Sequence, residues 1–469
     1  MLGYMAYQLI DGVVEGVVEL AEGEYVEGVE HLVGFAENLI QLGTFAAGGI
    51  IATGVVKPRL SSFLEGARPV TLESGEQRLW GENLQPYKQQ NLRLAADSKP
   101  DVLGLHQHQG KQILPLDADH FELKIDSRTG KHRVQHPTRP DAYQPVAESN
   151  GSGAFVLEGE KPHTWDADTL IKRLGPSVKG LTDRLGDIRT VSRADPGALV
   201  RMYADNERAI PLLSDTVTRF RIDEDIHSFI QNIGSSRAQD YRQADPLWQF
   251  QLLDGLWPGR AIELKGADGR VLYSLGTDAE PVSVQVERLV DTDLSDTLLS
   301  YLDEAQTRQL LGDEPDAPAR SREQNATRLR TRLAQLAGER KASLFDARYR
   351  GVERAVSAEA RVIQDEVALP GVVAQELVAL ARPEELQALK LRRLPERLEG
   401  LANWALKDVR ISRAYEGFYL ESVSNPDFDA LALHSLEQLP GWNAEVRIEV
   451  RHYSFDGRQL DSIGPDDAV

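Results

Sequence analysis

The chain of 469 residues contains no cysteine. That excludes disulfides, thiolate zinc sites and cysteine nucleophiles within it. It is also short of positive charge, with 53 Lys and Arg against 73 Asp and Glu and a formal net charge of −20. A field of that sign repels phosphate backbones, so no nucleic-acid partner is expected. Aromatic residues are only 7% of the chain. The hydrophobic share of 41% and the charged share of 27% fit a folded chain and exclude wholesale disorder or a polytopic membrane protein. The length calls for two to four domains.

Catalytic motifs are missing as well. Gly48-Gly49-Ile-Ile-Ala-Thr-Gly54 lacks the Lys-Ser/Thr of a phosphate-binding loop. There is no His-Glu-x-x-His and no Gly-x-Ser-x-Gly. Asp-x-Asp pairs occur at Asp117/Asp119, Asp166/Asp168, Asp223/Asp225, Asp291/Asp293 and Asp427/Asp429. Such a pair can hold a divalent cation in a sugar-nucleotide transferase, but an acidic chain produces several by chance. Asp223 and Asp225 read as helix-cap or surface residues. No cofactor is expected.

Four regions follow along the chain. Residues 1–66 read as a helical hairpin whose polar positions are nearly all acidic, including Glu15, Glu19, Glu22, Glu30 and Glu37. No basic stretch precedes it, so it is not a signal peptide. Asn38 to Val56 is a run of 19 residues without charge, long enough to cross a bilayer but interrupted by Asn38, Gln41 and four glycines. The plain reading is a hairpin packed in a larger protein. The sharper one is a membrane segment that inserts when those glutamates protonate at low pH.

Residues 67–165 read as a β-rich module. Strand patterns at Gln112–Leu116, Phe121–Ile125 and His132–Gln135 surround a turn at Asp126–Gly130, and the proline-rich remainder reads as irregular. Six of the ten histidines lie here. His106 and His108 alternate onto one strand face, and with His120 they make a weak candidate metal site. Residues 166–293 form a helical subdomain. It has one amphipathic stretch from Leu170 to Leu185, a cap at Asp195, two short helices between Ile210 and Ile233, and a first β unit. Residues 294–469 form a second helical subdomain, broken at Gly312–Pro318. Its basic stretch from Arg320 to Lys341 includes Arg322, Arg328, Arg330, Arg332 and Arg340, interleaved with acids as on a solvated helix face.

The two β units are internal repeats. Asp268-Gly-Arg-Val-Leu-Tyr-Ser-Leu-Gly276 matches Asp456-Gly-Arg-Gln-Leu-Asp-Ser-Ile-Gly464, and each follows a Pro-Gly turn and a strand. A third strand, Val282-Ser-Val-Gln-Val-Glu, comes after the first copy, whereas the second stops at Val469. A piece of a longer protein is therefore expected, with the remainder of that parent as its partner.

Several segments resemble one family of very large Gram-negative toxins or effectors. They are Gln135–Tyr143, Asn150–Ala154, the Ala244-Asp-Pro-Leu-Trp segment, Arg413-Ala-Tyr-Glu-Gly-Phe-Tyr-Leu420, Leu431–Trp442 and Asp461–Gly464. The family combines a dermonecrotic-toxin-like N-terminal region, leucine-rich repeats and a C-terminal novel E3 ubiquitin ligase domain. This resemblance implies a secreted protein that acts in a host cell. Its ligase transfers ubiquitin through a cysteine, which this chain lacks, so no catalytic residue carries over.

The expectation is an α+β, multidomain chain, mostly helical with small antiparallel β modules. Its expected role is noncatalytic: the central scaffold or delivery region of such a toxin, with an unnamed host target. Acid-triggered membrane insertion and an enzyme of unrecognised, glycosyltransferase-like type are the alternatives.

Overall fold

A computed structural model describes residues 68–465 apart from short interruptions, the longest at 452–458. The 1–66 hairpin, with Glu15, Glu19, Glu22, Glu30 and Glu37, lies outside the described residues. About half of the chain is helical and 15% is strand in small sheets, so the α+β class is the one adopted. Two compact units divide it: one takes residues up to Pro176 together with Val200–Arg208, the other Ser177–Leu199 together with Ala209–Val469. These divisions fall at neither 165/166 nor 293/294.

In the first unit, β1 (Arg68–Thr71) and β2 (Gln77–Trp80) form an antiparallel hairpin. Six strands then follow as an antiparallel meander in sequence order: β3 (His106–His108), β4 (Lys111–Leu116), β5 (Asp119–Ile125), β6 (His132–Gln135), β7 (Val146–Ser149) and β8 (Phe155–Leu157). Period-two alternation puts Leu114, Leu116, Phe121, Leu123 and Val134 on one face, where they form a core with Tyr87, Leu105, Phe155 and Leu157. The turn between β5 and β6 is built by Asp126, which accepts from Arg128 N at 2.9 Å and Thr129 Oγ1 at 2.8 Å. The stretch expected to be irregular contains β7 and β8. Asn150 clamps their connection, accepting from Ala154 N at 3.2 Å. The helix α1 (Ala167–Lys172) belongs here, because the buried Tyr203 donates its hydroxyl to Leu170 O at 2.6 Å.

The second unit begins with α2 (Leu185–Ser192). Helix α3 (Pro196–Ala204), whose residues from Val200 onward belong to the first unit, starts under the cap of Asp195, which accepts from Ala198 N at 2.8 Å. The expected single helix from Leu170 to Leu185 is instead split, because positive φ at Gly175 and Gly180 interrupts it between α1 and α2. The two short helices expected between Ile210 and Ile233 are one helix, α4 (Pro211–Gly234). Neither proline nor glycine interrupts it from Leu212 to Ile233, and Leu213, Val217, Phe220, Ile226, Phe229 and Ile233 bury a continuous stripe. Helices α5 (Ala238–Tyr241) and α6 (Pro246–Leu253) lead into β9 (Ile262–Lys265), β10 (Val271–Leu275) and β11 (Val282–Gln285). β10 runs antiparallel to β9 and β11 parallel to it, so this small sheet is mixed.

The chain continues through α7 (Leu294–Leu299), α8 (Glu304–Leu311), α9 (Arg322–Glu339), α10 (Lys341–Glu353), α11 (Ala358–Val367), α12 (Gly371–Ala379), α13 (Pro383–Lys390) and α14 (Glu396–Glu416). α9 and α10 pack on α4, so helices on either side of residue 293 share one body. Val362, Ile363, Ala374, Leu389, Leu398 and Ala402 join α11 to α14 in a core of their own. Helix α15 (Pro426–Ser435) and the hairpin β12 (Ile448–Arg451) and β13 (Gln459–Ile463) complete the described chain.

Candidate functional site

The three histidines offered as metal ligands share a sheet face but do not converge. His106 pairs with Ile113 and His120 with Pro115 across the same strand, which separates their Cα positions by roughly 12 Å. His106 is buried with its Nδ1 2.8 Å from Ser98 Oγ. Among the described residues no group of three or more His, Asp or Glu side chains is placed to hold a metal ion. An open pocket of about 410 Å³ lies beside β7 and β8, lined in part by Glu148, Glu158, Glu160 and Tyr203. Its polar walls are engaged in holding the fold. Glu158 accepts from Tyr143 Oη at 2.8 Å and Val146 N at 2.6 Å, and Glu160 from Leu157 N at 2.8 Å and from Arg173. Burial pushes the Tyr203 hydroxyl far above its usual range, which suits a structural donor.

Among the described residues the acid pairs do not converge on a cation either, and Asp117 and Asp291 lie outside those residues. Asp166 caps α1, accepting from Thr169 N at 2.7 Å, and Asp427 binds Arg410 at 2.6 Å. Asp223, read from the sequence as a cap or surface residue, is 1% exposed in the middle of α4, because Ser422 N donates to it at 2.9 Å. Arg330, read as part of a solvated face, is buried, bridged to Asp293 and stacked 3.9 Å from the centroid of Tyr241. Its neighbours are matched in the same way: Arg322 by Asp296 at 2.7 Å, and Arg320 and Arg328 by Asp313.

Among the described residues a cluster of buried charge lies where α4, α10 and α14 meet, in the segment that carries the most specific part of the resemblance. Glu416 is fully buried and receives Arg219 Nε at 2.8 Å and Arg219 Nη2 at 2.6 Å. Arg413 gives one nitrogen to Glu416 at 3.0 Å and another to Asp215 at 2.6 Å. Tyr349 donates its hydroxyl to Asp215. The Arg219 guanidinium lies 4.6 Å from the ring centroids of both Phe345 and Tyr349. Two guanidiniums face two carboxylates, so the buried group is neutral as a whole. Burial works against the charge of Arg413, but Asp215 and Glu416 outweigh it and hold the guanidinium more firmly protonated than usual.

About two turns beyond Arg219 along α4, His227 Nε2 sits 3.2 Å from Glu421, and Lys341 Nζ reaches the same carboxylate at 2.7 Å. Lys341 and then His227 hold the Glu421 carboxyl well below its ordinary range. Sequence reasoning singled out Arg413–Leu420 without seeing this lattice. Its partners lie 64 to 198 positions away, which no local spacing reveals. Chemically the lattice fixes three helices to one another, since each carboxylate and guanidinium in it is engaged with the others.

No protein-family model, no curated protein and no solved structure matches the chain.

Proposed function

We propose that the chain is a noncatalytic scaffold, the central region of a secreted bacterial toxin or effector that acts in a host cell and whose parent resembles an E3 ubiquitin ligase. The observation that carries this reading is the neutral lattice of Asp215, Arg219, Tyr349, Arg413 and Glu416. The segment most specific to the resemblance invests its ionisable side chains in holding helices together. A catalytic carboxylate needs access to substrate, and Glu416 and Asp215 are sealed against guanidiniums instead. The engaged polar walls of the pocket beside β7 and β8 support the same reading. Among the described residues no helix is long and apolar enough to cross a membrane.

The enzyme alternative is tested by incubating the full chain with UDP-sugars and Mn²⁺ and following UDP release. The scaffold reading expects the rate of a heat-denatured control. Release above that rate, lost on adding a chelator, would overturn it.

A further inference from the structure

The helix–hairpin repeats in the second unit share a register down to one irregularity. In the first copy Ile262 pairs with Leu275, Glu263 with Ser274, Leu264 with Tyr273 and Lys265 with Val271, skipping Leu272. In the second copy Ile448 pairs with Ile463, Glu449 with Ser462, Val450 with Asp461 and Arg451 with Gln459, skipping Leu460. Both copies end on a glycine with positive φ, +76° at Gly276 and +91° at Gly464. Each glycine crowds the residue before the first strand: an added Cβ would lie 3.1 Å from Ala261 Cα or 2.9 Å from Arg447 Cα. Even a cross-link recurs at matching places, Tyr273 Oη to Asp254 at 3.0 Å and His434 Nε2 to Asp461 at 3.2 Å. The helices also begin alike, with Asp245 or Asn425 capping a helix that opens on Pro246 or Pro426.

The copies part in one respect. In the first, β9 lies between β10 and a parallel third strand, β11, which sets Val282 opposite Ile262 and Val284 opposite Leu264. Val282 N donates to Ala261 O at 2.8 Å. Ile262 and Leu264 are then 0% exposed. In the second, β12 pairs with β13 alone among the described strands, and its Ile448 and Val450 are only half-buried.

We propose that the outer edge of β12 receives one more parallel strand from the same polypeptide, carrying apolar residues opposite Ile448 and Val450. The main chain of an added strand supplies the binding, and side chains at alternate positions supply the register. Residues facing Glu449 and Arg451 are uncharged in this arrangement, as Ser283 and Gln285 are opposite Glu263 and Lys265. The first copy favours a strand of the same polypeptide over a second copy, because there six residues, 276–281, join β10 to β11 on one chain. Only the source of the strand rests on the reading of a longer parent; the competence of the edge does not.

The test extends the full chain after Val469 by a copy of residues 282–287. The control is the same extension with Val282→Asp and Val284→Asp in the appended copy. In a parallel ladder the amide of Glu449, placed as Glu263 is, donates to the new strand. Its hydrogen exchange should slow at least tenfold with the valine extension and not with the aspartate one. Equal exchange in the two would overturn the inference. So would slowing of Glu449 exchange with concentration in the unextended chain, because the edge would then belong to a second copy. Neither failure touches the scaffold reading, which the UDP-sugar assay decides separately.

Discussion

Replacing Glu416 by Gln keeps the shape of the side chain and removes one of the two negative charges in the buried lattice. Asp215, held by Arg413, is then the one carboxylate left in the lattice, and Arg219 loses the partner that binds it through both Nε and Nη2. Removing one member of a buried ion pair leaves an uncompensated charge in a medium that cannot solvate it, at about 3–5 kcal/mol. That is a large fraction of the ~5–15 kcal/mol that holds an ordinary domain folded. Native-state hydrogen exchange of residues 211–234 reads it directly, because α4 carries Asp215 and Arg219. At about 1.36 kcal/mol per decade, protection of α4 should fall by two decades or more. The combination Arg219→Met with Glu416→Leu removes one charge of each sign and leaves Asp215 paired with Arg413, so it should regain most of the loss. The reasoning fails if E416Q lowers protection by less than threefold, or if the double variant is worse than E416Q alone.

Acid should loosen α13 and α14 through Glu385. Its carboxyl is held near 2, against an ordinary 4.5, first by the side-chain hydrogen bonds from Arg397. A depressed folded-state pKa stabilises fully above the unfolded value and is lost as pH falls through the folded one. The stability contributed here therefore declines between pH 4.5 and about 2, and Glu385→Gln should flatten that part of a urea-midpoint profile; an unchanged profile would refute the assignment. Gly276→Ala and Gly464→Ala should each destabilise by about 1–3 kcal/mol, since both sites combine positive φ with backbone in the path of a Cβ. A lowered urea midpoint would report the loosening, and wild-type midpoints in both variants would count against the shared hairpin geometry.

Elements whose signal is local could be read from the sequence. The alternation at Gln112–Leu116 and Phe121–Ile125, the Asp126 turn and the Asp195 cap all appear where expected, because each depends on residues within a few positions. β7 and β8 are hard to see in the sequence because Pro145 and the Asn150–Gly153 loop look like breaks, yet they fall between the strands. The sequence suggests two helices in place of α4 because Arg221-Ile-Asp-Glu-Asp looks like a polar interruption. Asp223 is instead paid for by the backbone of Ser422, a partner 199 positions away. The β repeat was visible in its Asp-Gly-Arg turns, whereas the parallel direction of β11 came only from pairing. A shared strand face groups the histidines in the sequence, whereas register spreads them along it.

The scaffold claim is tested most directly by liposome flotation of the full chain at pH 7.4 and pH 5.0, beside a chain lacking residues 1–60. The account predicts no flotation of either protein at either pH. Flotation at pH 5.0 that disappears with the truncation would contradict it and make acid-triggered membrane delivery the function of the chain.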